Sequence, residues 1–279
     1  MEGDPPEVSK NCKVLSEDDK NKYLLQYLLL HRGSCEEYQL LEALKTLDDS
    51  NDSGVESWEV NLKNRITNIN ISLRRLDYKV IRQMGRLGAW SYVYVDLAPG
   101  DDTKLATAFK PDDLKFVQWA INKFLGEDTE PQVVRGVKSK VENAVDQVLS
   151  ERFGESHFAG LNKRVFYTCG SSELCQCEII NALQAEKVLS RLCQLRWFYE
   201  SSQGRFGLDV RALAELQEYI KGRFDIPNCV VCNDLTLEGA MCQCSESAWH
   251  VTCLRHFLTH VGDTCQNCGG SMKDAIYMA

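Results

Sequence analysis

A cluster of metal-binding residue types near the C-terminal end constrains the fold more than any other feature. Seven of the chain's 13 cysteines fall between Cys229 and Cys268. With one histidine they form four pairs, and the two members of each pair are separated by one or two residues. At this spacing both members can bind the same tetrahedral zinc ion from a tight turn. The pairs are Cys229 and Cys232, Cys242 and Cys244, His250 and Cys253, and Cys265 and Cys268. About 40 residues bury too little apolar surface to fold alone, so the sequence predicts two structural zinc ions.

The spacing leaves an alternative for the histidine ligand. Cys253 and His256 also have a workable separation, but His256 and His260 lie one turn apart in a predicted short helix, where they are interpreted as surface or packed histidines. We therefore prefer His250. Which four ligands share each ion does not follow from spacing. Closed sites of four ligands leave no position for a catalytic water, so a catalytic zinc is not expected.

A second group of cysteines lies in the middle of the chain. Cys175 and Cys177 are one residue apart and Cys169 is near them, but no fourth ligand is close in sequence. Free cysteine is among the most frequently buried residue types. We interpret these three residues as buried thiols and predict no third metal site.

Helical patterns dominate the first part of the chain. Ser16 with Asp19 resembles a capping box, and Gly33 follows the helix that it opens. Ser34 with Glu37 resembles a second box. A third helix is predicted because apolar residues recur at spacings of three and four. Its stripe consists of Leu62, Ile66, Ile69, Leu73 and Leu76.

Strand patterns follow these helices. Residues 78–80 and 90–97 alternate in the manner of strands on either side of a turn at 84–88, and a closing helix begins at Pro111, a favoured first helical position. Three helices followed by a β-hairpin is the order of a winged helix. We predict a first winged-helix domain over residues 16–125.

The same order recurs further along the chain. A linker with a helix near 137–149 is predicted over residues 126–162. A helix over 184–195, a hairpin that turns at 201–204 and a helix over 209–222 then predict a second winged-helix domain at 163–224. The zinc module is predicted over residues 226–273. The expected fold class is α+β, with two winged-helix domains before the zinc module.

Composition limits the partners. The formal net charge of −8 opposes electrostatic binding of nucleic acid or anionic lipid by the chain as a whole. No run of 18 apolar residues is present and Met1–Lys20 is acidic and polar, so neither a membrane span nor a secretory signal is expected. Lys187, Arg191 and Arg196 lie on the helix that could enter a DNA groove, but Glu186 interrupts them. Weak non-specific DNA contact stays an alternative.

The ligand order is similar to that of RING-variant and PHD-type modules, in which alternate pairs share an ion. This resemblance implies one site of Cys229, Cys232, His250 and Cys253, and a second of Cys242, Cys244, Cys265 and Cys268. PHD modules carry an aromatic residue two positions before the last pair, where this chain has Asp263. A small, cross-braced, RING-like module with two zinc ions is therefore favoured.

Together with the winged helices, these motifs resemble the non-SMC element 1 subunits of the structural maintenance of chromosomes 5/6 complex, of the budding-yeast type, which belong to a RING-variant ubiquitin ligase family. The segments that carry the resemblance are Lys22–Tyr27, Tyr94–Ala98, Thr103–Thr107, Arg191–Tyr199 and Trp249–Cys253. They lie mostly outside the zinc ligands, so the resemblance does not depend on the cysteine pattern alone.

The resemblance implies a nuclear, chromosome-associated subunit that acts in DNA repair and recombination. Its expected partners are a MAGE-like winged-helix subunit, a kleisin subunit and a ubiquitin-conjugating enzyme, with DNA contact through the complex and no membrane partner. A RING ligase acts by positioning the charged conjugating enzyme, so no catalytic residue is expected.

Four residues are implied as contacts of the conjugating enzyme: Val231, Leu254, Leu258 and Gln266. Gln266 stands where a proline is common, and Gly269 follows the last ligand where active ligases often have a basic residue. These departures keep an alternative open, namely a zinc-stabilised interaction subunit without ligase activity.

Overall fold

The computed structural model describes residues 15–47, 57–97, 109–126, 140–154, 164–165 and 167–278. The resemblance segment Thr103–Thr107 lies outside these ranges. The helices are α1 (Glu17–Leu30), α2 (Glu37–Leu47), α3 (Trp58–Leu73), α4 (Pro111–Leu125), α5 (Lys140–Phe153), α6 (Ser171–Leu174), α7 (Ala182–Gln194), α8 (Val210–Arg223) and α9 (Val251–His260). None of the helices in these ranges is both long and apolar enough to span a bilayer.

The strands form three small sheets. They are β1 (Ser34–Glu36), β2 (Tyr78–Met84), β3 (Trp90–Asp96), β4 (Arg164–Val165), β5 (Cys169–Gly170), β6 (Phe198–Glu200), β7 (Arg205–Leu208), β8 (Gly239–Met241), β9 (Ala248–Trp249) and β10 (Ile276–Met278). Their orders are β1-β3-β2, β5-β7-β6 and β4-β10-β8-β9. The α+β class and the two-winged-helix arrangement before a metal-binding module are confirmed.

The first unit consists of α1, α2, α3 and the β1-β3-β2 sheet around one apolar core. The side chain of Ser16 caps α1 by accepting a hydrogen bond from the backbone N–H of Asp19 at 3.1 Å, as expected. Ser34 does not cap α2. It pairs with Val93 in the sheet, and the side-chain oxygen of Gln39 accepts the N–H of Glu36 instead. The prediction of a second capping box is therefore wrong, because Ser34 lies in the edge strand β1 and not at the start of α2.

Helix α4 belongs to the second core. Its buried side includes Phe116 and Phe124, which share one apolar cluster with Leu189 of α7 and with β6 and β7. The ring of Phe124 meets that of Phe198 edge to face, with centroids 5.1 Å apart. We expected this helix to close the first unit at residue 125. Its packing corrects that boundary and makes α4 the first helix of the second winged helix.

Helix α5 covers the zinc module rather than only linking domains. Val145 and Leu149 are fully buried in one cluster with Leu254 and Phe257 of α9. The hydroxyl of Tyr277 in β10 donates to Asp146 of α5 at 2.6 Å. The short strand β4 pairs in parallel with β10. The module therefore extends beyond the predicted range 226–273, since both α5 and the C-terminal strand complete its core.

The hairpin turn of the first unit contacts both other parts of the chain. Arg86 pairs with Glu238 of the zinc module at 2.6 Å, and its guanidinium lies 3.6 Å from the ring centroid of Tyr199. Gly88 has φ +78°, and a Cβ there would come within 2.6 Å of Thr252 on α9. The turn that a winged helix often presents to DNA thus packs against the zinc module and the second winged helix.

Candidate metal centre

The eight predicted ligands lie on tight turns and at a helix start. The pair Cys229–Cys232 follows α8, the pair Cys242–Cys244 follows β8, and the pair Cys265–Cys268 follows α9. His250 is the N-cap residue of α9, which places Cys253 in its first turn. The three cysteine turns each have a residue with positive φ directly after the second cysteine: Asn233 at 62°, Ser245 at 64° and Gly269 at 72°.

These residues form two groups of four. One contains Cys229, Cys232, His250 and Cys253, and the other contains Cys242, Cys244, Cys265 and Cys268. Within each group all ligand atoms lie within 4.8 Å of one another. Alternate pairs share a group, which is the cross-braced arrangement implied by the resemblance.

The sulfur separations suit zinc. The Sγ atoms of Cys242 and Cys268 are 3.5 Å apart, and those of Cys244 and Cys265 are 4.0 Å apart. A zinc–sulfur bond of about 2.3 Å in tetrahedral geometry requires sulfurs about 3.8 Å apart. Each group could therefore hold one metal ion, and its thiol-rich donor set favours zinc.

The orientation of His250 distinguishes it from the other candidate histidine. Its Nδ1 lies 3.4 Å from the Sγ of Cys232, while Nε2 lies 3.0 Å from the backbone oxygen of Leu235. Donation from Nε2 to that carbonyl leaves Nδ1 as the ligand atom and fixes the ring. His256 is exposed, and the centroid of its ring lies 4.7 Å from that of the His260 ring. His256 is not in either group.

Each group contains a cysteine whose pKa is lowered, Cys229 or Cys265, and another whose pKa is raised, Cys253 or Cys242. Burial of Cys265 acts to raise its pKa, but hydrogen bonds from Ser247 and from the backbone of Cys268 and Asn267 outweigh it and lower the pKa to about 6. A hydrogen bond from Cys232 is the largest effect that lowers the pKa of Cys229. The thiolate is the form that binds metal, so each group contains a cysteine prepared for that role.

The four implied contacts of a conjugating enzyme do not share an open surface. Val231 is 40% exposed and Gln266 is exposed. Leu254 and Leu258 are buried, at 0% and 4%, in the cluster that includes α5. The expectation that these two leucines contact the conjugating enzyme is therefore not met, because contact requires an exposed surface. The signal that could have indicated this is the apolar stripe Val141, Val145, Val148 and Leu149, whose spacing places one face of α5 against a core.

The mid-chain cysteines are buried or half-buried thiols. Over the residues that the structure describes, Cys169, Cys175 and Cys177 are absent from the clusters able to hold an ion. Cys169 and Cys177 are buried, and burial raises the pKa of Cys169 to about 11. They behave as packing residues.

Comparison with known proteins places the chain in a family. The family model described as "Nse1 non-SMC component of SMC5-6 complex" matches residues 21–216. The chain is 31% identical over 325 residues to the Saccharomyces cerevisiae protein "Non-structural maintenance of chromosomes element 1", covering 94% of this chain and 96% of the yeast protein. Its fold is similar to a chain of a solved "Nse1-Nse3-Nse4 complex", with a TM-score of 0.64, 17% identity and coverage of 92% and 97% of the two chains. The chain therefore belongs to the Nse1 family of non-SMC components of the SMC5-6 complex.

Proposed function

We propose that this chain is a nuclear, chromosome-associated subunit of an SMC5-6 complex that acts in DNA repair and recombination. Its partners would be a MAGE-like winged-helix subunit and a kleisin subunit. Family membership supports the complex, and the similar fold of a chain from an Nse1-Nse3-Nse4 complex supports the two partners.

An exposed apolar surface on the first unit supports partner docking. Leu30 of α1 is 83% exposed and Tyr38 of α2 is 61% exposed. Tyr23 is also exposed and lies one turn before Tyr27 on α1, and α1 packs against α2, which carries Tyr38. Aromatic and large apolar residues are typical of interface cores. We propose this surface, Tyr23, Tyr27, Leu30 and Tyr38, as a contact with the MAGE-like subunit.

Replacement Leu30→Asp is expected to weaken binding of the MAGE-like subunit by about tenfold or more, because a charge would enter a desolvated contact. The free energy of unfolding should change by no more than about 0.5 kcal/mol, since Leu30 is exposed. Calorimetric titration of the purified chain with the partner measures the affinity. Leu76→Asp, at a similarly exposed leucine after α3, is the control. Equal losses in both variants would contradict the α1 contact.

We further propose that the zinc module is a RING-type ubiquitin ligase that depends on the MAGE-like partner. Both metal groups have four protein ligands, so the metal would shape the module and not activate water. Rate enhancement would come from holding the charged conjugating enzyme and its ubiquitin in a reactive orientation. Val231 lies between two ligands on an exposed turn, which suits it to contact that enzyme.

An assay with the MAGE-like partner and the ubiquitin-activating and conjugating enzymes tests this activity. Chains of ubiquitin are expected with the native protein, and Val231→Ala should abolish them by removing the apolar contact while both metal sites stay loaded. Val261→Ala is the control, because Val261 is an exposed valine of the same module. Failure to form chains with any conjugating enzyme tested would exclude ligase activity.

Two observations favour a second function, a zinc-stabilised interaction module without ligase activity. Leu254 and Leu258 are buried beneath α5, and Gln266 replaces the usual proline. A conjugating enzyme would therefore meet a smaller apolar surface than the resemblance implies. The same assay separates the two functions: the structural function predicts a complex that assembles, contains zinc and makes no chains.

A further inference from the structure

A groove in the second winged helix lies far in sequence from the zinc module and from the exposed surface of α1. It runs between the start of α4 and the N-terminal half of α7 and has a volume of about 440 Å³. Pockets that bury ligands of drug size measure about 300–1,000 Å³. The residues that matter for its chemistry are Phe109, Lys110, Leu183, Lys187, Val188 and Arg191.

The groove is positively charged. Lys110, Lys187 and Arg191 line it, and none of the three forms an ion pair with an acidic residue within the described ranges. Lys187 and Arg191 are four residues apart on α7, so their side chains emerge from the same face. Lys110 lies on the opposite wall, at the start of α4. A bound segment would meet cations on both sides.

Among the described residues that line the groove, Asp113 is the one with a carboxylate, and its oxygens bind groups of the groove walls. Asp113 is buried, and its two oxygens accept hydrogen bonds from the backbone N–H of Lys110 at 3.1 Å and from Nε2 of Gln184 at 2.6 Å. These bonds connect α4 to α7. Asp113 therefore fixes the two walls relative to each other and is not paired with the groove cations.

Apolar residues form part of the same surface. Leu183 is 63% exposed beside Lys187, Val188 is buried, and Phe109 is half-buried at the groove edge. A nucleic-acid backbone has no apolar group for Leu183, and the net charge of −8 opposes a long polyanion. A protein segment that combines carboxylates with an apolar side chain matches both parts of the surface.

We propose that this groove binds an acidic, amphipathic segment of a partner protein. An apolar side chain of that segment packs on Leu183 and Phe109, and its carboxylates pair with Lys187, Arg191 and Lys110. Arg191 has the geometry for a bidentate pair with a carboxylate. The proposal goes beyond the family function, because it rests on neither the zinc centre nor the contact surface of α1.

Fluorescence anisotropy with the full-length, zinc-loaded chain tests the groove. The probes are short labelled peptides with several glutamates around one leucine or tryptophan, in a set that varies the anchor position. At least one is expected to bind, and the double variant Lys187→Glu with Arg191→Glu should weaken it by about tenfold or more. Lys221→Glu with Arg223→Glu is the matched control, since it reverses one lysine and one arginine on exposed positions of α8. The control should change the affinity by no more than about twofold.

Leu183→Asp is expected to weaken the same peptide without altering the circular dichroism of the chain, since Leu183 is exposed. The proposal is overturned if none of the peptides binds, if peptides without the apolar anchor bind equally well, or if groove and control variants lose affinity alike. It is also overturned if a labelled DNA duplex binds the native chain more tightly than any peptide and only the groove variant loses it, because the ligand would then be nucleic acid.

Discussion

Cys229→Ser is expected to abolish metal binding at the first group and to unfold the zinc module together with α5. A structural zinc contributes on the order of 10–16 kcal/mol of apparent binding energy, which equals or exceeds the whole stability of an ordinary domain, about 5–15 kcal/mol. Cys229 is buried in that group, so a serine hydroxyl there replaces a thiolate with a poor zinc ligand. The second unit should also lose stability, because Leu237 and Ile276 of the zinc module are part of the core of the second unit.

Elemental analysis and amide hydrogen exchange measure these effects. The native chain should contain two zinc ions, whereas the variant should contain no more than one and lose exchange protection over α5 and α9. The first unit has a core of its own and should keep its protection. Cys175→Ser is the control, since Cys175 lies outside both groups. Two retained zinc ions in Cys229→Ser would show that this residue is not a ligand.

Leu149→Ala is expected to lower the free energy of unfolding by about 2–5 kcal/mol, the range measured when buried leucines are truncated in well-packed cores. Leu149 is fully buried, and it packs in the cluster that contains Leu254, Phe257 and Leu258 of α9. Because α9 begins at one metal ligand and contains another, loosening its contact with α5 should also speed the release of zinc.

Denaturant titration measures the free energy of unfolding, and transfer of zinc to a coloured chelator measures the release rate. Asn143→Ala is the control, because Asn143 is an exposed residue of α5. The variant and the control should differ in both measurements. An unchanged stability and release rate for Leu149→Ala would mean that α5 belongs only to the predicted linker over residues 126–162 and does not support the module.

Much of the local structure follows from short-range chemistry. Ser16 and Ser57 cap their helices, and Pro111 is the first residue of α4. The stripe of α3 matches the apolar periodicity from Leu62 to Leu73, whereas Leu76 lies in the turn after the helix and is exposed. The hairpin of β2 and β3 matches the strand alternation. These features are readable because caps, turns and periodic patterns depend on residues within a few positions of each other.

The four ligand pairs could be predicted from local spacing, but the grouping of the pairs around each ion could not. Each pair of ligands was evident from its separation, but the grouping of alternate pairs came from a resemblance. Contacts across the module now support that grouping: Cys242 meets Cys268 at 3.5 Å, 26 residues away. His250 was preferred over His256 because His256 lies in a predicted short helix, and the contact of His250 Nε2 with the backbone oxygen of Leu235 now supports that preference.

Sequence alone thus determined which residue types could bind metal, where most helices and the two hairpins of the winged helices occur, and which family the chain resembles. Tertiary structure alone decided that α4 packs in the second core, that Ser34 lies in a strand, and that α5 buries Leu254 and Leu258. The reason is physical: an apolar stripe shows that a face is buried but not against which element, since hydrophobic attraction is non-directional. The partner of each face is selected by the packing of the whole chain.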